Sequence, residues 1–426
     1  MGPARAWIRD GVMMSNALLQ MGIGDEARAF LRWYVRYQDP DGRVPCCVDE
    51  RGGDWAVEHD APGQLIYGAL LPYRYGGDLS VARDTWPNLL RAVDYIRRLR
   101  EQRLEPEYRT PEKRAFYGIL PESISHEGYA AHPVHSYWDD YWALRGLRDA
   151  VTAARLLGEP AQADRIELLR SDFARDLRAS IDATMQQHGL DTIPASADLG
   201  DFDPSSTSIA LAPGGLRELL PQPALHRTYD RYVEDFRKRR AGEIAWEAYT
   251  PYELRNIEAL VRLGRRDDAL FLLREMLADQ RPAGWRQWGE IVWRDPTAPR
   301  FIGDVPHCWI ASGFVSALRS MLVYERDDGA LVIGAGLPLE WVRAAGGVAV
   351  RGLRTEQGPL GYELAAGGEH TLVATIAAGV EVPPAGILVR LPVVVRAARI
   401  DGAPAREWRS DGVTVRSVPA RVEIDY

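Results

Sequence analysis

The sequence predicts a mainly α-helical fold, an (α/α)6 toroid of helix pairs over residues 1–324, followed by a small antiparallel β-sandwich at 325–426. Through the first three quarters of the chain, apolar residues recur at helical spacing, and the linkers alternate between short turns and long polar loops. From about residue 325 the apolar period changes to two, which is typical of strands. We expect the short turns to close one end of the ring and the long loops to form a cleft at the other.

Each predicted helix is an amphipathic segment bounded by Gly, Pro or polar residues. The first, residues 12–22, ends at Gly22, a typical C-terminal cap. The others are predicted at 25–38, 61–74, 80–103, 138–157, 160–184, 206–219, 224–239, 250–263, 266–279 and 307–322. This set falls one helix short of six complete hairpins, so we expect a missing helix to precede Trp7.

The C-terminal segments are rich in β-branched residues and are separated by Gly, Pro and Asp turns. They lie at 330–333, 347–351, 370–376, 386–391 and 413–418. Because this region contains few clustered polar aromatic residues, we interpret the sandwich as packing support for the helical domain.

Composition narrows the function classes. The chain has 426 residues, of which 46% are hydrophobic and 26% charged, as in ordinary globular proteins. The net charge is −8 and the basic residues are scattered, so no nucleic-acid partner is expected. No apolar run reaches the roughly 18 residues of a membrane span, so no membrane partner is expected either. The N-terminus carries no signal peptide, which favours a cytoplasmic location, and the oligomeric state stays open.

Cysteine usage predicts neither a disulfide framework nor a zinc site. Cys46 and Cys47 are adjacent, and Cys308 is distant. We therefore expect no metal and no cofactor. The clustered carboxylates of the loop 196–207 could bind calcium, but their spacing is not that of an EF-hand. We interpret this segment as a structural loop.

The segment Trp138-Asp139-Asp140 is the most informative motif. Two adjacent carboxyl groups between large rings repel each other and lose hydration, which raises the proton affinity of at least one. A carboxylic acid that is neutral near pH 7 can protonate a glycosidic oxygen, and the neighbouring rings suit the C–H faces of sugars. The alternative is an acidic helix N-terminus with its rings in the core.

Further polar loops offer sugar-binding groups. In Trp7-Ile-Arg9-Asp10, the Arg-Asp pair forms a hydrogen-bonding edge suited to hydroxyl groups, although Asp10 could equally cap a helix. The three ionisable residues at 58–60 (Glu-His-Asp) could bind a ligand or a metal, but their position before a helix favours capping and supporting roles. Glu122 could contact a sugar or brace its own loop.

A second carboxylate is predicted in the loop 284–293, where Glu290 lies between tryptophans and Trp288 precedes it. A Glu is rarely left among rings without a partner or a task. A salt bridge to a nearby arginine is the alternative. The pair Trp246-Glu247 has similar surroundings and is the rival source of this carboxylate.

Together these motifs resemble the six-hairpin glycosidases, most nearly their glucoamylase-like members and more loosely trehalases and processing glucosidases. Trp7-Ile-Arg9-Asp10 is similar to the Trp-x-Arg-Asp motif that holds the terminal sugar in glucoamylases. Trp138-Asp139-Asp140 is similar to the motif in which the general acid follows Trp and begins an acidic pair. Glucoamylases use Glu there, whereas trehalases use Asp. Glu290 lies where the family carries its base, shortly before the last barrel helix.

The resemblance implies an inverting hydrolase that removes a terminal, α-linked gluco-type sugar from an oligosaccharide. Asp139 would be the general acid and Glu290 the general base, with carboxyl groups about 6.5–9.5 Å apart. The implied substrate-binding residues are Trp7, Arg9, Asp10, Glu122, Trp138, Asp140, Trp246, Glu247 and Trp288. A glycoside phosphorylase and a truncated, non-catalytic sugar-binding remnant are the alternatives.

Overall fold

A computed structural model describes residues 5–281, 284–297 and 300–426. Its helices alternate with short turns and long loops, as the sequence predicts. The helices are Ile8–Gln20 (α1), Asp25–Tyr34 (α2), Ala61–Gly76 (α3), Ser80–Glu101 (α4), Tyr137–Leu157 (α5), Pro160–His188 (α6), Pro204–Leu211 (α7), Gln222–Ala241 (α8), Arg255–Arg262 (α9), Arg266–Ala278 (α10), Cys308–Leu322 (α11) and Leu339–Arg343 (α12). No helix in these ranges is both long and apolar enough to cross a membrane.

Two helix predictions need correction. The segment 206–219 is helical only to Leu211, because Pro213 has no backbone N–H with which to continue the helix. The segment 250–263 opens with a 3-10 turn at Pro251–Leu254, and the α-helix begins at Arg255. In both places proline sets the boundary.

The segment Trp7–Asp10 is not the loop that the sequence suggested. Strand β1 (Ala6–Trp7) runs directly into α1 and pairs antiparallel with β2 (Cys47–Asp49), which pairs in turn with β3 (Gly52–Asp54). The Ile8 amide donates to the Cys46 carbonyl at 3.1 Å. This small sheet fixes the chain at the point where α1 begins.

The chain divides into two compact units. The first unit comprises residues 1–18, 23–73 and 77–245, and the second comprises 19–22, 74–76 and 246–426. In the first unit, α5 contacts α4, α6 and α7. Nearly all of its first fourteen residues are buried, so α5 is the central element of this core.

Gly63 in α3 makes the close approach to α5 possible. A Cβ atom at this position would overlap the backbone carbonyl of Trp142, and one at Gly146 would lie 2.7 Å from the Gly63 Cα. Neither backbone contact can be relieved by rotating a side chain. The two helices therefore pack through glycine, just after the loop that carries Glu58 and Asp60.

The second unit contains α9, α10 and α11 and two sheets with a shared apolar core. The strands of these sheets are Val323–Glu325 (β6), Leu331–Ile333 (β7), Val348–Thr355 (β8), Gly358–Ala366 (β9), Thr371–Ile376 (β10), Ile387–Val389 (β11), Ala397–Ile400 (β12), Ala403–Pro404 (β13), Trp408–Arg409 (β14), Gly412–Val415 (β15) and Ala420–Asp425 (β16). The six-stranded sheet has the order β13-β12-β16-β10-β9-β8, and the five-stranded sheet has the order β14-β15-β11-β7-β6. The C-terminal β-structure is confirmed, and β7 with β11 is a parallel pair within it.

A third, two-stranded sheet pairs Ala248–Tyr249 (β4) with Val292–Trp293 (β5). It joins the two tryptophan-containing loops that the sequence offered as rival sources of the second carboxylate. The boundary at 324/325 between a helical and a sandwich domain stays a prediction.

We expect Gly63→Ala to lower the free energy of unfolding by about 1–3 kcal/mol, because the added methyl group meets rigid backbone. Gly313→Ala is the matched control, since this helical glycine has open space around its Cβ position. The control should gain about 0.5–1 kcal/mol from the better helix propensity of alanine. Urea unfolding followed by circular dichroism measures both, and equal stabilities of the two variants would contradict the packing described for α3 and α5.

Candidate functional site

An acidic cluster, defined here as Glu58, Asp60 and Asp139, lies beside Arg9 in the first unit. The Arg9 Nη1 atom donates to Glu58 Oε2 at 2.7 Å and lies 3.3 Å from Asp60 Oδ2. Arg9 is only 3% exposed. A buried ion pair of this kind is costly to break, because an unpaired charge would be left behind. The start of α1 and the loop before α3 are therefore held together electrostatically.

Asp60 connects the cluster to α5. Its Oδ2 atom accepts hydrogen bonds from Trp138 Nε1 and from Gln64 Nε2, each at 2.7 Å. The same oxygen faces Arg9. One carboxylate oxygen thus orients the Arg9 side chain and the indole that immediately precedes Asp139.

Asp139 lies in the first turn of α5 with no exposed surface. The Ser123 hydroxyl donates to its Oδ2 atom at 2.5 Å, and the Ser125 hydroxyl donates to Oδ1 at 3.2 Å. Ser123 also accepts the Ser125 amide at 2.7 Å, so the segment 123–125 folds over the carboxyl group as a unit.

Burial raises the pKa of Asp139 well above its ordinary value, and the charges of Asp60, Asp140 and Glu58 raise it further. The Ser123 hydrogen bond acts in the opposite direction. The N-terminus of α5 also favours an ionised carboxylate, by about 0.3–1 kcal/mol. Burial is the largest of these effects, so the surroundings favour the protonated form of Asp139.

Glu58 behaves in the same way. Burial raises its pKa from 4.5 to about 8, with Asp60 adding to the rise and Arg9 opposing it. Its neighbour His59 is also buried, which lowers the pKa of the imidazole to about 4 and leaves it neutral. At neutral pH the surroundings of Arg9 thus include a protonated carboxyl group, that of Glu58.

Asp140 and Trp138 were predicted to bind substrate, and both are fully buried. Asp140 accepts the Leu120 amide at 2.9 Å, and burial raises its pKa well above the ordinary range. The Trp138 ring is stacked beneath His126, with 4.5 Å between ring centroids. In this arrangement Asp140 braces a loop and Trp138 orients Asp60, and their predicted contact with substrate stays a prediction.

Trp7, Arg9 and Asp10 lie together where β1 joins α1. The Arg9 guanidinium carbon is 5.5 Å from the centroid of the Trp7 ring, and Trp7 and Asp10 are each partly exposed. These two residues border the acidic cluster and are the members of the motif that retain accessible surface. Their predicted contact with a sugar stays a prediction.

Glu122 is an exposed residue that forms an ion pair with Arg103. Arg103 also donates to His135 Nε2 at 3.0 Å, and His135 Nδ1 lies 3.1 Å from Asp198 Oδ2. Of the two roles considered for Glu122, these contacts favour bracing of the loop.

In the second unit, Glu290 is partly exposed and lies beside Tyr252. The Tyr252 hydroxyl is 3.4 Å from Glu290 Oε1 and 3.2 Å from His307 Nε2. Gly303, at a φ of +69°, passes so close to the Glu290 carboxyl group that a side chain there would overlap it. The residue stands among polar groups that can orient it and exchange protons with it.

Trp288 was predicted to bind substrate, but its side chain is buried. Its Nε1 atom donates to the Met276 carbonyl at 2.8 Å, and the ring packs 5.4 Å from that of Phe314. The indole has no accessible face for a sugar. It anchors the loop that carries Glu290.

Trp246 and Glu247 line a cavity of about 470 Å3 in the second unit, together with Trp293, Arg294, Asp295 and Arg300. Glu247 is ion-paired with Arg300, whose guanidinium carbon lies 4.8 Å from the centroid of the Trp293 ring. This pairing favours Glu290 over Glu247 as the second carboxylate.

For Glu58 and Asp60, sequence reasoning favoured capping and supporting roles over ligand or metal binding, and it gave no role to Gln64, Ser123 or Ser125. The run of ionisable residues at 58–60 was the available signal. Nothing in the local pattern of Ser123-Ile-Ser125 marks it as a partner of Asp139, because that contact joins a loop to a helix over 14 residues or more.

Among the described residues, three side chains are grouped as a metal site requires: Cys46, Cys47 and Asp54. They lie in the small sheet that leads into α1. The loop 196–207, in contrast, uses its carboxylates internally, since Asp203 caps α7 and Asp201 accepts from Tyr129.

The fold, mainly helical with β-structure at the C-terminus, is similar to that of solved glycosidases, among them α-L-rhamnosidases and a bacterial glucoamylase. The sequence itself matches no protein-family model and no curated protein.

Three solved structures illustrate the similarity. An α-L-rhamnosidase from Dictyoglumus thermophilum aligns with a TM-score of 0.62 at 12% identity, over 99% of this chain and 46% of that one. A Streptomyces avermitilis α-L-rhamnosidase complexed with L-rhamnose gives 0.59 at 15% identity, over 98% and 38%. A bacterial glucoamylase complexed with acarbose gives 0.53 at 15% identity, over 74% and 48%. The chain spans less than half the length of each.

The pKa of Glu58 predicts a pH dependence of stability. Because the folded protein holds this proton up to about pH 8 and the unfolded chain releases it near 4.5, Glu58 stabilises the fold at low pH. That contribution is lost as the pH rises through 8. The variant Glu58→Gln should not show this loss. The free energy of unfolding of the variant relative to that of the wild type should therefore increase from pH 5 to pH 8. Denaturant unfolding at each pH measures the difference, and parallel curves would refute the prediction.

Proposed function

We propose that this protein is an inverting glycoside hydrolase that removes a terminal, α-linked gluco-type sugar from an oligosaccharide. The observation that carries the proposal is Asp139, a fully buried carboxyl group in the first turn of α5 whose pKa burial raises well above the ordinary value. It occurs in a fold whose solved relatives include rhamnosidases and a glucoamylase.

Asp139 acts as the general acid. Cleavage of a glycosidic bond needs a donor that is still protonated near pH 7, and burial supplies that property here. Because Ser123 and Ser125 cover the carboxyl group, the segment 123–127 must withdraw when substrate binds. Ser125 and Glu127 have φ values of 53° and 65°, a backbone region that non-glycine residues adopt at a cost, which supports a second arrangement of this segment.

Glu290 acts as the general base. Inversion requires a carboxylate that takes a proton from water as the water attacks the anomeric carbon. Its partial exposure and the neighbouring Tyr252 hydroxyl support this role. The base removes one proton from water, and the acid delivers one proton to the departing oxygen. After turnover the base carries one extra proton and the acid lacks one, and proton exchange with solvent restores both groups.

Arg9, Asp10 and Trp7 bind the terminal sugar. Arg9 is already held by Glu58 and Asp60, so its role is to present a fixed positive edge rather than to close on the ligand. Asp10 and Trp7 supply a hydrogen-bond acceptor and an aromatic face. The resemblance of this motif to the glucoamylase sugar site supports a gluco-type substrate.

A panel of nitrophenyl glycosides and disaccharides tests the activity, with α-glucosides and α-rhamnosides as the critical members and the product anomer followed by NMR. We expect release of the terminal sugar with inverted configuration and without added phosphate. Retained configuration would exclude the inverting mechanism, and release that depends on phosphate would identify a phosphorylase. Saturable sugar binding without turnover would identify a non-catalytic module.

Asp139→Asn and Glu290→Gln should each lower kcat by roughly 10²–10⁴-fold, because each removes one proton transfer. Asp149→Asn, a buried acid of α5 that is paired with Arg145 at 2.9 Å, is the control for Asp139. Asp304→Asn, an exposed acid near Glu290 in the chain, is the control for Glu290. Circular dichroism checks that all four fold. Turnover within a few-fold of wild type in either test variant would reject that residue's assignment.

A further inference from the structure

Cys46 and Cys47 form a buried pair of thiols at the edge of the sheet that leads into α1. Their sulfur atoms are 3.7 Å apart, and the side chains are 2% and 1% exposed. Successive residues of a strand point to opposite faces, but Cys46 lies in the bend just before β2 and escapes that alternation. The bend therefore brings two adjacent sulfurs to the same side.

Strand pairing adds a carboxylate to the thiols. Asp54, the last residue of β3, is the register partner of Cys47. One ligand atom from each of Cys46, Cys47 and Asp54 lies within 4.8 Å of the others. Three protein ligands of this type leave a fourth position for water, which is an established zinc arrangement.

The sulfur separation matches tetrahedral coordination. Two thiolates that bind Zn²⁺ at about 2.3 Å, at the tetrahedral angle of about 109°, lie about 3.8 Å apart. The pair needs almost no rearrangement to reach that geometry. A disulfide would require an S–S distance of about 2.05 Å, a much larger movement of two adjacent residues.

Asp54 is the solvent-exposed member of the three candidate ligands. The Asp54 side chain is 41% exposed, whereas both thiols are covered. Asp54 is shared with the Arg5 guanidinium at 3.7 Å, and Arg5 also lies 3.9 Å from Asp49. Arg5 can keep Asp49 as its partner when Asp54 turns toward the metal.

We propose that Cys46, Cys47 and Asp54 form a binding site for a thiophilic divalent cation of the zinc class. The sequence alone favoured no metal, because it showed two cysteines and no further ligand. The third ligand comes from the next strand.

The site braces the junction that orients Arg9. The Cys46 carbonyl accepts the Ile8 amide at 3.1 Å, and Cys47 is the register partner of Trp7. A metal bound to both cysteines therefore restrains β1 and the first residue of α1. This restraint does not depend on the proposed hydrolase activity.

Zinc binding to the full chain tests the proposal directly. Under reducing conditions, competition with a chromogenic chelator should show one Zn²⁺ bound per chain at neutral pH. Affinity should fall as the pH drops, because the thiols must lose their protons. Cadmium in place of zinc should produce thiolate-to-metal charge-transfer absorption, which reports sulfur ligation without any activity assay.

Variants assign the ligands. Cys46→Ser and Cys47→Ser should each weaken zinc binding by more than the roughly 10- to 100-fold that loss of an outer partner costs. Asp54→Asn should weaken it less and leave the cadmium absorption in place. Cys308→Ser, which removes the exposed cysteine, is the matched control and should bind zinc as wild type does.

Three results would overturn the site: no saturable zinc binding by wild type, undiminished binding in the Cys46→Ser/Cys47→Ser double variant, or loss of binding in Cys308→Ser. The first would leave Cys46 and Cys47 as a hydrogen-bonded thiol pair only. If a cysteine variant fails to fold, the Asp54→Asn variant and cadmium absorption of the wild type still decide the question. Metal binding without sugar turnover would support this site and count only against the proposed hydrolase.

Discussion

The buried contacts of Arg9 with Glu58 and Asp60 are the constraint on which the rest of the candidate site depends. An arginine that is almost inaccessible to water must keep its carboxyl partners, because a buried charge left without partners costs several kcal/mol. Asp60 shares the same guanidinium and also accepts the Trp138 indole. The start of α1, the loop before α3 and the first turn of α5 are thus held in one arrangement, and none can shift without exposing a charge.

The same low-polarity surroundings change the acidity of Asp139. A carboxyl group in this position has little hydration and several acidic neighbours, so the pKa of Asp139 is well above that of an exposed aspartate. The helix N-terminus and the Ser123 hydroxyl oppose this effect and do not cancel it. Burial also raises the pKa of Glu58, so the folded state holds a proton that the unfolded chain releases. The free energy of unfolding therefore decreases as the pH rises.

The small sheet before α1 links this site to the cysteine pair. Trp7, Cys47 and Asp54 are register partners on three short strands. A few backbone hydrogen bonds therefore determine both where α1, which carries Arg9, begins and where the two sulfur atoms lie. Short sheets of this size are marginally stable by themselves. A restraint at Cys46 and Cys47 would compensate for that weakness, which gives the proposed metal site a physical purpose.

Local sequence patterns determined most of the helices and the change to strands near residue 325, because apolar periodicity acts over a few residues. The predicted helices at 206–219 and 250–263 missed the boundaries that proline sets at Leu211 and Arg255. The adjacent acids between rings also pointed to Asp139, whose role as general acid is a proposal. Only the tertiary structure decided which faces were available: it buried Trp138, Asp140 and Trp288, paired Glu122 with Arg103, and joined Asp54 to the cysteines. Those outcomes depend on contacts between segments far apart in the chain, and no local pattern specifies which side chain a distant strand or loop will meet.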